Sequence, residues 1–161
     1  MDLYVLRHGI PVDSGDWLGD DASRPLTENG TAELENALTA LRDSGEVGVD
    51  LVLTSPAVRA HQTAQIAARI LLARLEILPA LAAGLGPATL MHALEGRTLP
   101  NRLMVVGHNP DLPMLVAALA GGSSLEHPLE RGGLALLHGE LAPGGMLLVW
   151  SKSPGQIAHR A

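Results

Sequence analysis

The 161-residue chain contains no cysteine. That excludes a disulfide framework, a thiolate nucleophile and thiolate-ligated zinc. Aromatic residues are almost missing, being only Tyr4, Trp17 and Trp150, so stacking platforms for nucleic-acid bases are not expected. Positive charge is also scarce. The net charge is −6, which argues against a nucleic-acid partner, since such proteins carry a basic face. No apolar run approaches the ~18 uncharged residues of a membrane span. Met1-Asp2 leads straight into the first apolar run, without the basic and apolar segments of a secretory signal. A cytoplasmic location with no membrane partner is expected.

What is present is a core of Leu, Val and Ala: 47% of the residues are hydrophobic, enough to bury one domain over 1–161 without staples. The central stretch is Leu3-Tyr4-Val5-Leu6-Arg7-His8-Gly9. A short apolar run bounded by Gly9 and Pro11 predicts a buried strand ending in a turn. Arg7 and His8 then stand at its carboxyl end, where open α/β sheets place ligands. Gly9 is expected to let backbone approach that ligand. A guanidinium grips two phosphoryl oxygens, and a neutral imidazole can attack phosphorus. On the tripeptide alone, a salt-bridged arginine and a core histidine fit as well.

Residues 10–25, with four aspartates, two glycines and two prolines, predict a loop beside that site. Thr27 is a plausible N-cap for a helix whose Leu34, Ala37, Leu38 and Leu41 face the core, ending by Gly45 or Gly48. Residues 50–54 predict a second strand. Ser55-Pro56 suits the cap and first position of a helix to about Leu72, whose free N–H groups favour an anion. Residues 76–78 predict a short third strand, 79–88 a loop and 88–95 a short helix. Leu103–Gly107 is a buried strand running into His108, with Asn109 as cap and Pro110 as first residue of a helix to about Ala120. Strands at 133–138 and 146–150 flank the turn Pro143-Gly144-Gly145, and the tail from Ser151 looks loosely held. Alternating strands and helices predict one three-layer α/β sandwich with a mostly parallel central sheet.

In a parallel sheet the three strand ends lie on one edge, bringing together Arg7, His8, Arg59 and His108. That is the composition needed to hold and transfer a dianionic phosphoryl group. Leu6-Arg7-His8-Gly9, then Ser55-Pro56-x-x-Arg59-Ala60-x-Gln62-Thr63, then Gly107-His108, resemble the histidine phosphatase superfamily. Arg24-Pro25-Leu26-Thr27-x-x-Gly30 and Gly107-His108-Asn109-Pro110-Asp111-Leu112 are similar, more narrowly, to the small SixA-type phosphohistidine phosphatases. The resemblance spans roughly residues 3–150. It implies a phosphoglycerate mutase-like fold, with His8 as the nucleophile that becomes phosphohistidine, Arg7 and Arg59 as phosphate clamps, and His108 as the second histidine on the phosphoryl group and its transition state. It implies no cofactor and no metal. Two histidines flanked by arginines would be a thin metal site in any case.

Phosphomonoester-cleaving branches of the superfamily carry a carboxylate soon after the third strand to protonate the departing alkoxide. Here Leu78-Pro79-Ala80-Leu81-Ala82-Ala83-Gly84 has none. An imidazole leaves far more easily than an alkoxide. The absence therefore favours a phosphohistidine-containing protein, such as a phosphotransfer domain, as partner and substrate of a monomeric enzyme. Asp13, Asp16 or Glu95 swinging in from loops would instead allow a small-molecule phosphomonoesterase, and a non-catalytic phosphate-binding module is the remaining alternative. A mutase would need an acid/base carboxylate and a second substrate-sized pocket. Arg24 either reaches substrate from the loop or pairs with a neighbouring aspartate. Asn109 is a cap or a pocket residue, and capping explains Ser55 fully. His61 is expected at the rim, and His92, His127, His138 and His159 on the surface or in structural roles.

Overall fold

In a computed structural model, which describes residues 1–158, the first apolar run alternates between two faces of a central sheet. Leu3 and Val5 pack on one side, Tyr4 and Leu6 on the other, the period-2 pattern of a strand. The strands are β1 (Asp2–Arg7), β2 (Leu51–Thr54), β3 (Arg74–Ile77), β4 (Arg102–Gly107), β5 (Leu134–Gly139) and β6 (Met146–Lys152). Their order across the six-stranded sheet is β3-β2-β4-β1-β5-β6. The β1–β4, β2–β4 and β2–β3 pairings are parallel; β5 runs antiparallel to β1 and to β6.

Helices cover both faces, as a parallel sheet requires. α1 (Glu28–Asp43), α2 (Val58–Leu71) and the short α5 (Pro154–Ala158) lie on one face. There Leu34, Leu38, Ala60, Ala64 and Ile157 join Tyr4, Leu6, Met104 and Val106. α3 (Gly86–Leu94) and α4 (Asp111–Ala120) cover the other. Leu90, Leu94, Leu112, Leu115 and Leu119 pack there on Leu3, Val5, Leu103 and Val105. The result is a three-layer α/β sandwich with a mostly parallel sheet. Among the described residues no helix is long and apolar enough to cross a membrane.

The register aligns the functional edge: Arg7 pairs with Gly107, and Thr54 with Val106. His8, Ser55 and His108 each follow directly on one of these adjacent strand ends. Thr27 caps α1 as its sequence predicts, accepting from Gly30 N at 2.9 Å. The other two caps do not form. α2 starts at Val58 with Ala57 at its cap, and Ser55 is released for another partner. α4 starts at Asp111 with Pro110 at its cap, after a cis Asn109–Pro110 bond, and the Asn109 side chain turns to Leu129 O instead. The third strand lies at Arg74–Ile77 rather than 76–78, and α3 begins two residues before the expected 88. The tail is held: β6 continues to Lys152, which pairs with Glu46, and Ile157 is buried. His159 lies outside the described residues.

Candidate active site

Arg7, His8, Arg59, His108 and Asn109 line a single cleft of about 730 Å³ at the carboxyl edge of the parallel strands. Its other charged walls are Asp13, Asp16, Arg24 and Arg131. His8 is fixed through its backbone. Its N–H donates to Gly107 O at 3.1 Å, and its carbonyl accepts from Gly132 N at 2.9 Å. Gly9 N donates to Thr63 Oγ1 at 3.1 Å, and that hydroxyl donates to Arg59 O at 2.8 Å. Gly9 is needed for packing rather than for ligand approach: a Cβ there would lie 2.6 Å from Leu34 Cδ1 on α1.

The imidazole of His8 is 6% exposed. Its Nδ1 lies 2.7 Å from Gly9 O, and a carbonyl can only accept, so Nδ1 carries the proton and Nε2 carries the free lone pair. Burial, reinforced by the charges of His108, Arg59 and Arg7, pushes the His8 pKa down to about 4 against the pull of the Gly9 hydrogen bond. His8 is therefore neutral near pH 7, the state a nitrogen nucleophile needs.

His108 faces it, with ring centroids 5.3 Å apart. Burial first, then the Arg59 charge, also lowers its pKa to about 4. Its Nε2 lies 2.7 Å from Ser55 Oγ, the same oxygen that accepts from Ala57 N at 3.2 Å. Ser55 is fully buried; Ala57 N can only donate, so among the described residues His108 Nε2 is the acceptor that remains for the single hydroxyl hydrogen. That leaves the proton of neutral His108 on Nδ1, a buried nitrogen with no partner among the described residues. Capping does not account for Ser55. Its site contact is invisible in the sequence because Ser-Pro before a helix reads first as a cap.

The arginines are held by different means. Arg7 Nη1 donates to Leu129 O at 3.0 Å, the carbonyl that also accepts from Asn109 Nδ2 at 3.0 Å. Burial, and then the charge of Arg131, lowers the Arg7 pKa. Arg59 Nη1 donates to Asp21 O at 2.8 Å, and Nη2 pairs with Asp21 Oδ2 at 3.1 Å. Arg24 binds the same aspartate through Oδ1 at 3.0 Å and donates to Val12 O at 2.9 Å. The Arg24 hydrogen bond, followed by the interactions with Arg59, keeps Asp21 below the usual carboxylate range. The Nε atoms of Arg7 and Arg59 are buried without partners among the described residues. With His108 Nδ1 they make three donors that suit the oxygens of a phosphoryl group.

Other residues of the sequence pattern build the scaffold. Gln62 Oε1 accepts from Leu26 N at 2.8 Å. Ile10 O accepts from Thr27 N and Oγ1 at 2.9 and 3.2 Å, and a Cβ on Gly30 would meet that carbonyl at 2.5 Å. In the stretch expected to hold a general acid, Ala83 is the residue that lines the cleft. His61 does not line it. His92 and His138 face Glu95 and Asp2 at the surface, and His127 bonds Gly121 O. Among the described residues no three His, Asp or Glu side chains group as metal ligands. Asp21 and Arg131 are the site neighbours that sequence spacing did not single out.

A family model described as histidine phosphatase superfamily (branch 1) matches residues 3–86, which is more than half of the chain. The chain belongs to the histidine phosphatase superfamily. An uncharacterized protein of Picosynechococcus sp. is 35% identical over 141 residues, covering 83% of this chain and 82% of that one. The solved structure of a protein histidine phosphatase SixA complexed with tungstate is 27% identical with a TM-score of 0.80, covering 96% of this chain and 98% of that chain. A proposed phosphohistidine phosphatase SixA from Agrobacterium tumefaciens is 25% identical with a TM-score of 0.79, covering 95% of this chain and 97% of that chain. This histidine phosphatase is thus a SixA-type chain with the phosphoglycerate mutase-like α/β fold, and its activity is that of a phosphatase.

Proposed function

We propose that this histidine phosphatase removes the phosphoryl group from phosphohistidine on a partner protein through a covalent intermediate on His8. The observation that carries the choice of substrate is Ala83 in the cleft, in the stretch where ester-cleaving relatives hold an acid. A phosphoramidate needs no dedicated acid, because its imidazole leaving group is far less basic than an alkoxide.

In the first step the lone pair of His8 Nε2 attacks phosphorus in line, the P–N bond of the substrate breaks, and the departing imidazole retains the electron pair and takes a proton from solvent. Arg7 and Arg59 bind the equatorial oxygens. His108 donates from Nδ1, and once a dianion fills the pocket its cationic form is favoured, adding charge where it is most effective. In the second step water attacks phospho-His8, the P–N bond to His8 breaks, and inorganic phosphate leaves. The positive groups line one cleft, consistent with positioning and electrostatic stabilisation as the source of rate.

A phosphomonoesterase is the second reading, favoured by one observation: Asp13 and Asp16 also line the cleft and offer carboxylates on a loop. Parallel release assays separate the two, one with a phosphohistidine-bearing transfer domain and one with a panel of phosphomonoesters. The proposal expects fast loss of phosphohistidine and slow ester turnover, both abolished in His8→Ala. Efficient ester turnover that falls in Asp13→Asn or Asp16→Asn would move the protein to the second reading.

A further inference from the structure

The cleft has a cation that the phosphoryl pocket does not use. Arg131 is exposed, lines the cleft beside Arg7, and its guanidinium has no hydrogen bond or ion pair among the described residues. It is not placed at random. The turn from Glu130 to Gly133 is closed by Gly133 N donating to Glu130 O at 2.7 Å, and the next N–H after Arg131, that of Gly132, binds the carbonyls of Arg7 and His8 at 3.1 and 2.9 Å. Gly132 has φ +75° and Gly133 no room for a Cβ, which would sit 2.8 Å from Glu130 O. The backbone that carries Arg131 is therefore locked to the backbone that carries His8.

Two like charges held side by side are unfavourable unless a counter-charge arrives. The chain has carboxylates within the same region. Glu33 and Glu130 line a groove of about 350 Å³ that shares Arg7, Ile10 and Arg131 with the cleft, yet neither pairs with Arg131. Asp13 and Asp16 also line the cleft and repel an anion near them. The same loop brings Arg24, but that guanidinium is already held by Asp21 and Val12 O, which leaves Arg131 as the exposed cleft cation without a counter-charge among the described residues.

We infer that Arg131 is a subsite for a second anionic group carried by the substrate beside its phosphoryl group. Resting on the reading above, that group is an Asp or Glu carboxylate of the partner protein flanking its phosphohistidine. Attraction at Arg131 and repulsion at Asp13 and Asp16 then favour one orientation of the docked partner, a role suited to specificity and encounter rate.

The test uses non-hydrolysable probes and calorimetric titration, so it stands apart from the choice of phosphoryl substrate. Methylphosphonate carries one anionic group; phosphonoacetate, 3-phosphonopropionate and 4-phosphonobutyrate carry a carboxylate at increasing reach. The wild-type chain is expected to bind at least one two-anion probe about 3-fold or more tightly than methylphosphonate, the range of a solvent-exposed ion pair. Arg131→Ala should erase that preference and leave methylphosphonate affinity within about 2-fold, which also shows that the variant is folded; Arg131→Lys should keep most of it. Three outcomes overturn the inference: no preference at any chain length, a preference that survives Arg131→Ala, or an equal loss for both probe types. The first includes a failure of the wild type to bind any probe. A wild type that shows the preference but spares phosphohistidine overturns only the proposed substrate. A second arm then compares phosphohistidine partners with and without the flanking carboxylate, where Arg131→Ala is expected to raise KM and leave kcat unchanged.

Discussion

Ser55 Oγ lies 2.7 Å from His108 Nε2 and simultaneously accepts from Ala57 N. This single hydroxyl sets which nitrogen of His108 holds the proton, and so whether the second histidine meets a phosphoryl oxygen with a donor or with a lone pair. Ser55→Ala should lower kcat/KM by roughly 10–100-fold, somewhat less than the 10²–10³ typical of deleting a stabilising donor outright. Ser55→Thr keeps the hydroxyl and should recover most of the activity. Steady-state kinetics with thermal unfolding as a control for folding checks both.

Asp21 Oδ2 pairs with Arg59 Nη2 at 3.1 Å. An incoming dianion competes with that carboxylate for the same guanidinium. Asp21→Asn should therefore tighten product inhibition by inorganic phosphate about 2–5-fold, the range of an exposed ion pair. The effect should shrink at high salt. An unchanged inhibition constant would mean that phosphate reaches Arg59 without displacing Asp21.

Acid should act on stability with a definite sign. His8 and His108 have pKa values of about 4 in the fold, against ~6.5 in an unfolded chain. Between those limits the unfolded chain binds more protons, so stability is full above pH ~6.5 and is lost as pH falls towards 4. Each histidine contributes up to about 3 kcal/mol to that loss. Urea midpoints should fall across this window, and fall less in His8→Gln. By the same logic kcat/KM should be flat through neutrality with an acid limb near pH 4–5, where His8 gains its second proton.

The two pattern glycines should differ in what they tolerate. A Cβ on Gly30 would meet the backbone carbonyl of Ile10 at 2.5 Å, whereas one on Gly9 would meet the tip of the Leu34 side chain at 2.6 Å. A leucine tip can shift; a carbonyl that already accepts from Thr27 cannot do so cheaply. Gly9→Ala should cost about 1–3 kcal/mol and Gly30→Ala more, with urea unfolding as the measure.

The pairing register explains why so much was legible. Buried strands announce themselves as apolar runs, and once Arg7, Ser55 and His108 are placed at parallel strand ends, adjacency follows from the sheet. Thr27 was readable for the same reason, since a cap is a local interaction. Ser55 misleads, and of the two roles open to Asn109 the cap gives way to the cleft lining, because the local signal of a capping residue before proline is overridden by partners 53 and 20 residues away. An aspartate partner for Arg24 is expected, and Asp21 is that partner, but its contact with Arg59 and the place of Arg131 have no signal. A charged residue in a loop carries no period, and only the path of the backbone decides which charge it meets. The tail looked loose because nothing in its sequence reveals that Ile157 finds a place against the core under α1.

Trapping the phosphoenzyme tests the central claim most directly. The protein is mixed with a phosphohistidine-bearing transfer domain, quenched in alkali within the first turnover, digested and mapped by mass spectrometry. The account predicts one transient phosphoryl group on His8, stable in alkali and labile in acid, absent from His8→Ala along with turnover. A phosphoryl group on any other residue, or turnover that persists in His8→Ala, would contradict it.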